Sequence, residues 1–413
     1  MSSKARSLAA MKGEKPLRKR KKKMPSPSPS PSPVRQEPNS IVSLPNDLLF
    51  NCISRVSRLY YPTLSLVCKT FRSIVASPEL YETRSRLNRT EKCLYLCLTF
   101  QFDTNTHWFT LCREPNKNVA DKSSGYRLVQ IPSPFAMVPA QSSSVIAVGS
   151  DIYKIGGAKS CQFKFKTRRC SYVSVLDCRS HRWRQAPGMR LARSSSSTVS
   201  VVDGKIYVAG GCEEYRSTNW MEVYDPMTKT WGSVTNPHIQ EIYDEYQSRR
   251  VLKGLGLEGK LYMFGEEFKV YNPKEGKWND IGEDRPMWRA IDSRSCISSS
   301  SCVVDNVLFI WEKGLFKWYD FKVKLWKDLN GVEGLPDLSG HEYCKMVDLG
   351  GKIAVLWEES LPYKGFNKIW CAEVSLERRD GDEIWGKVEW FDNVLSVHYS
   401  GSLLDANVVS AVV

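Results

Sequence analysis

Four tryptophans at nearly equal intervals constrain this 413-residue chain more than any other feature. Trp183, Trp231, Trp278 and Trp326 follow one another at steps of 48, 47 and 48 residues. Each closes a similar segment: VLDCRSHRW, VYDPMTKTW, VYNPKEGKW and WYDFKVKLW. Two apolar residues precede a polar turn and then the Trp, which reads as strand, turn, strand. Upstream of each lies a second apolar hairpin. The clearest is VSVVDGKIYVAGG, Val199 to Gly211, and its relatives start at Val145, Gly254, Ser301 and Lys345. Asp203-Gly204 supplies the left-handed pair that a two-residue hairpin turn needs, and Gly210-Gly211 permits close approach of backbones.

Two hairpins per repeat make a four-stranded blade, and a period near 48 falls in the range of β-propeller repeats. The Gly-Gly, the Tyr before Asp-Pro or Asn-Pro and the Trp resemble kelch repeats. The resemblance fades toward the C-terminus, since Gly-Gly persists in only two repeats. The fold expected is mainly β: a kelch-type propeller over 92–413 preceded by a small all-α module over 41–88. Five hairpin pairs run from about residue 142 to 394, and the last has a longer stretch, Ile369 to Trp390, read as an extended third-to-fourth strand turn. LYLCLTF, HWFTLCR and YRLVQI supply further strands between 94 and 135. Pairing them with a strand from the C-terminal tail closes the ring and removes its free edges. The count is then six blades, with five or seven as the alternatives.

Residues 41–80 carry helical rather than strand periodicity. Leu48, Leu49, Cys52, Ile53 and Val56 form one apolar stripe, with Ser43, Asn46 or Asp47 as candidate N-caps. Tyr61-Pro62 reads as a break. A second stripe, Leu64, Val67, Cys68, Phe71, Ile74 and Val75, ends at Pro78. About 40 residues cannot bury two such stripes among themselves, so apolar surface is left for a partner. The identities run Leu44-Pro45-Asn46-Asp47-Leu48, Ile53-Ser54-Arg55, Pro62, Val67-Cys68-Lys69-Thr70-Phe71-Arg72-Ser73 and Ser77-Pro78. In that order they resemble a plant-type F-box. Phe71 stands where Trp is common, and Ser-Arg-Leu-Tyr-Tyr-Pro replaces a Leu-Pro close after the first helix. The resemblance implies docking to a Skp-type adaptor and, through it, to the cullin and RING subunits of a ubiquitin ligase. It also implies that Leu44, Pro45, Leu48, Leu49, Ile53, Val67, Cys68 and Phe71 form or support that contact. The role expected is capture of a target protein for ubiquitination, without catalysis by this chain. The alternative is a kelch interaction scaffold outside any ligase.

Charge argues mainly about the tail. The net charge is +14, yet residues 1–24 hold ten Lys or Arg against one acid, Glu14, and so account for nine of those charges. The run from Arg18 to Lys23 and the Pro-Ser alternation up to Pro33 predict a disordered, extended tail over 1–40. The basic run suits a nuclear import signal, and Ser26, Ser28, Ser30 and Ser32 suit proline-directed kinases. The location expected is nucleus, cytoplasm or both, with no specific nucleic-acid partner and no membrane. The 13 cysteines include no C-x-x-C, which predicts free thiols in a reducing compartment. The five histidines are scattered, and neither a metal-ligand spacing nor a phosphate loop or nucleophile motif appears, so no metal, cofactor or catalytic residue is expected. For the target face, Arg190, Arg193, Trp220, Trp288, Arg289 and Arg294 are candidate anchors, because Arg and Trp dominate interface energetics. Two long charged loops, 159–169 and 238–250, add to that face.

Overall fold

The computed structural model describes residue 41 and residues 44–413 except 101–105, 115–123, 134–139, 142–143, 160–167, 195–196, 213–218, 235–252, 265–268, 281–300, 313, 342–343, 380, 399 and 404–405. The tail assigned to 1–40 lies outside the described residues. Six four-stranded antiparallel sheets follow one another, as expected of a six-bladed propeller. The first blade pairs Lys92–Thr99, Thr106–Arg113 and Tyr126–Ile131 with the C-terminal strand Asn407–Val412. The chain therefore closes its own ring. Residues Lys92 to Cys97 pair with Val412 to Asn407, and the ladder extends through Glu91 and Val413, whose backbones exchange hydrogen bonds of 2.9 and 2.8 Å.

Within each later blade the strands lie in chain order. The first strands (Ser144–Val148, Thr198–Val202, Lys253–Leu257, Ser301–Val304 and Cys344–Asp348) neighbour one another or Asn407–Val412 and line the axis of the ring. The recurrent Trp has a local reason. Trp231, Trp278 and Trp326 pair across the strand with Tyr224, Tyr271 and Tyr319, and the rings meet at centroid distances of 5.0, 5.0 and 5.2 Å. Such cross-strand aromatic pairs hold the outer hairpin together. Blade joins to blade the same way: Trp108 meets Trp183 edge-on at 5.3 Å, and Tyr153 meets Tyr224 at 5.8 Å. Trp231 also donates its indole N–H to Pro187 O at 2.8 Å. At the inner turn, Asp203 (φ 48°) and Gly204 (φ 74°) are both left-handed, as the two-residue hairpin demands. A Cβ on Gly211 would stand 2.8 Å from Ser197 N, so only glycine fits there.

The sixth blade departs from expectation. Ile369–Trp390 is not a long turn. It belongs to two long strands, Phe366–Arg379 and Glu383–His398, with register shifts at Ile369/Trp370 and Glu373/Val374. Spacing alone cannot separate an extended loop from an extended hairpin. The irregular register also obscures the period-2 pattern that marks a strand.

Among the described residues the helical module has four α-helices where the sequence shows two stripes, α1 (Asn46–Ser54), α2 (Tyr61–Val67), α3 (Lys69–Val75) and α4 (Pro78–Arg86), with a 3-10 turn at Arg58–Tyr60 before α2. Pro62 and Pro78 lie in the first turns of α2 and α4, so they open helices instead of breaking or closing them. Cys68 is extended (φ −158°, ψ 167°) and splits the second stripe, and its Sγ accepts from Phe71 N at 3.4 Å to cap α3. Pro45 occupies the N-cap of α1 without a side-chain cap, while Asp47 sits in the first turn, where the helix dipole favours it. Neither Asn46 nor Asp47 is the cap, and Ser43 lies outside the described residues. Leu49, Ile53, Phe71, Ile74, Leu80 and Tyr81 share one apolar core with Tyr95, Trp108, Leu176, Ala411 and Val413. The helices thus complete their core on the first two blades and on the chain's last residues.

Candidate functional site

Burial divides the helical module's candidate residues into two groups. Leu49, Ile53 and Phe71 are buried, at 1%, 4% and 8% exposure. They support the surface but do not present it. Leu48 and Val67 are exposed, at 53% and 64%; Leu44 and Pro45 are exposed as well, and Cys68 is half-buried. The most exposed leucine in the helices is Leu66, at 77%. Sequence reasoning passed over Leu66 because it falls between stripe positions. It also ran Val67 and Phe71 into one continuous stripe, with both among the adaptor-contact candidates. The break at Cys68 resets the helical phase, so the end of α2 turns outward while α3 turns in. The module therefore shows solvent large aliphatic side chains at the start of α1 and the end of α2.

That surface rests on a buried polar frame. Arg84 of α4 donates to Ser54 O (3.1 Å), Val56 O (2.9 Å) and the Tyr61 hydroxyl (3.0 Å), and ion-pairs with Glu91 at 3.3 Å. Its guanidinium satisfies carbonyls at and just beyond the end of α1. Glu91 in turn accepts from Ser57 Oγ (3.1 Å) and Arg58 N (2.9 Å), and its backbone carries the link to Val413. The orientation of α1 and α2 is consequently tied to ring closure.

The candidate target-contact residues of the propeller fare differently. Arg193 is fully buried. It donates to Gly210 O (2.6 Å), Trp220 O (2.9 Å) and Asn219 O (2.6 Å), and pairs with Glu222, also buried, at 2.8 Å. The same carboxylate accepts Arg190 N at 2.8 Å and Leu191 N at 3.2 Å. Arg193 is a structural cation and is corrected from the target-contact set: a guanidinium sealed within the third blade cannot reach a partner. Arg190 is exposed, with Nη2 on Trp231 O at 2.8 Å, and Trp220 is half-buried against the third blade's core. Trp288, Arg289 and Arg294 lie outside the described residues, as does most of the two charged loops.

Among the described residues no three His, Cys, Asp or Glu side chains gather as a metal site, and no helix is long and apolar enough to cross a membrane. Burial pushes the Cys93 thiol up to about 11 and Cys97 up to about 12, which keeps both protonated and poor nucleophiles. Burial, and then the charge of Arg58, holds His181 down to about 4.

Comparison with known proteins matches both modules. The family model described as F-box domain covers residues 41–83, and the one described as FKB95, Kelch-repeats domain, covers 108–395. The chain is 68% identical over 409 residues to the putative F-box/kelch-repeat protein At1g61540 of Arabidopsis thaliana, covering 98% of this chain and all of that one. It is 57% identical over 416 residues to the F-box/kelch-repeat protein At4g39590 of the same plant, covering 100% and 99%. Against the F-box/kelch-repeat protein At4g39580, also of Arabidopsis thaliana, identity is 46% over 369 residues, covering 89% and 93%.

Proposed function

Because this chain belongs to the F-box/kelch-repeat proteins, we propose that it is the target-recruiting subunit of a cullin–RING ubiquitin ligase. Its helices dock a Skp-type adaptor, and its propeller captures a protein for ubiquitination and degradation. One observation carries this reading: Leu48, Leu66 and Val67 stand exposed on the stretch that matches the F-box model. A small helical module gains nothing in its own stability from large aliphatic side chains in water. A partner that covers them gains their burial, about 25 cal/mol per Å².

The role is that of a connector, with no chemistry on this chain. The core shared between the helices and the first two blades holds a captured target at a set position relative to the adaptor. On this reading the ligase's catalytic partners meet lysines at a set reach. The test is capture of the Skp-type adaptor by the full chain. Leu48→Ala combined with Leu66→Ala is expected to abolish capture while circular dichroism stays unchanged. Wild-type capture by that double variant sinks the reading.

The basic run Arg18 to Lys23 is assigned to nuclear import. Replacing its six cations with Ala in a fluorescent fusion is expected to shift the protein to the cytoplasm, and an unmoved distribution removes the assignment. For the target, the exposed Arg190 and half-buried Trp220 remain the described anchors, with an acidic segment as the matching chemistry.

A further inference from the structure

Between the helical module and the first blade lies a cleft of about 320 Å³, within the size range of small-ligand sites. Helices α2, α3 and α4 form one wall, and the strands containing Cys93, Leu111 and Ile131 form the other. The second blade's outer turn, with Arg179 and His181, closes one end. The walls are largely apolar: Pro62, Val75, Leu111, Val129 and Ile131 all contribute. Three arginines, Arg58, Arg72 and Arg179, also line the cleft, and among the described lining residues there is no Asp or Glu.

Arg58 is the anomaly. Three arginines of this chain are buried among the described residues. Arg84 has Glu91 at 3.3 Å, and Arg193 has Glu222 at 2.8 Å. Arg58, at 8% exposure, has among the described residues neutral partners for its guanidinium: the Tyr81 hydroxyl at 2.5 Å, the carbonyl of Cys178 and His181 Nε2 at 3.3 Å. The rings of Tyr81 and Tyr61 lie 5.2 and 5.9 Å from its Cζ. Among the described residues no carboxylate stands within ion-pairing distance of that guanidinium. Burying a cation is costly unless an anion accompanies it. Of the other two cations, Arg179 bonds Asp177 Oδ1 at 3.0 Å, and Arg72 gives its Nε to Ser65 O at 3.0 Å. Both are exposed, so they keep N–H groups for a further acceptor.

We infer that this cleft binds a small amphiphilic anion, a carboxylate or a phosphate monoester with a short hydrocarbon body. The charged oxygens lie by Arg58, with Arg72 and Arg179 at the rim, and the body lies against Leu111, Val129 and Ile131. Such a ligand supplies the counter-charge Arg58 lacks and joins the helices to two blades. The inference stands apart from adaptor docking and holds or fails without it.

The test is calorimetric titration of the full-length protein with three probes of one chain length: octanoate, octyl phosphate and octan-1-ol. The better-bound anion identifies the head group. It is expected to bind one-to-one and about tenfold or more tighter than the alcohol, as charge-assisted hydrogen bonds exceed neutral ones. Arg72→Ala/Arg179→Ala, two exposed changes, is expected to weaken anion binding several-fold and leave the alcohol unaffected. Val129→Trp fills the cleft, leaves every cation in place, and is expected to remove binding of the anion. Equal affinity for alcohol and anions, no binding of either anion, or binding that Val129→Trp leaves intact overturns the inference.

Discussion

In the blades, large apolar side chains of the second strands are sealed: Ile206, Val208, Leu308, Phe309, Val355 and Leu356 are each at 1% exposure or less. In the helical module, neighbours on one helix have opposite fates, with Leu49 at 1% and Leu48 at 53%. The blades are covered on both faces by other blades, so their inner strands are sealed within the ring, while outer strands such as Arg182–Ala186 and Leu325–Asp328 reach solvent. The helices have only one face to bury, and that face is completed by Tyr95, Trp108 and Val413 of the propeller. The propeller thus seals its inner strands with its own residues, while the helical module borrows its core from the ring and keeps large aliphatic side chains exposed on its outer face.

Removing the closing strand puts the most pressure on that contrast. Deleting residues 407–413 opens the ladder to Lys92–Thr99 and strips Ala411 and Val413 from the shared core. The loss is comparable to the ~5–15 kcal/mol by which domains are stable. The truncated chain is expected to show no cooperative thermal transition and to lose adaptor capture as well. If the helices still capture adaptor normally, they do not depend on the ring. Next in size is Arg193→Ala, which strands Glu222 in the third blade without its partner. The expected cost is ~3–5 kcal/mol, read as a lower midpoint in urea. A change below ~1 kcal/mol would mean that the pair contributes little there.

The two adjacent leucines give a sharper comparison. Leu49→Ala should cost ~2–5 kcal/mol in stability, since it leaves a cavity in the shared core. Leu48→Ala should stay within ~0.5 kcal/mol of the parent, yet weaken adaptor binding by about 2 kcal/mol. Measuring melting and adaptor affinity for both variants tests the division directly. Equal effects of the two on either readout would mean that burial does not separate support from contact.

How much of this was legible beforehand depended on how far apart the interacting residues are. The blades were readable because their signals are local: the Tyr–Trp pairs close within one hairpin, and Asp203-Gly204 is its own turn. Ring closure was readable because an unpaired tail strand and unpaired early strands need one another. The helices' outer surface was only half readable. Periodicity carried across Cys68 ran α2 and α3 into one stripe and missed Leu66, because nothing in the residue types announces that the backbone there is extended. Arg193 was misread for the opposite reason. An Arg bound to three carbonyls and Glu222 has the same composition signature as an interface anchor, and only tertiary packing separates them. The cleft under the helices has no sequence signature, since its lining comes from five separate stretches between Arg58 and His181.

The effect that is smallest at neutral pH concerns His181, at the seam between the two regions. Burial and then Arg58 lower its folded pKa from 6.5 to about 4. Its Nε2 faces the Arg58 guanidinium and the Tyr95 hydroxyl, each at 3.3 Å, so the folded state keeps the ring neutral. Above pH 6.5 both folded and unfolded states hold it neutral, and the full stability is present. As pH falls from about 6.5 toward 4, the unfolded chain takes up a proton that the folded chain refuses, so stability declines. Below about 4 the decline from this group ends. His181→Asn removes the titration and tolerates the left-handed backbone at this position, φ 52°. Urea midpoints measured between pH 7 and 4 are expected to fall less steeply for the variant than for the parent. The same slope in both would show that the helix–blade seam does not sense protons through this ring.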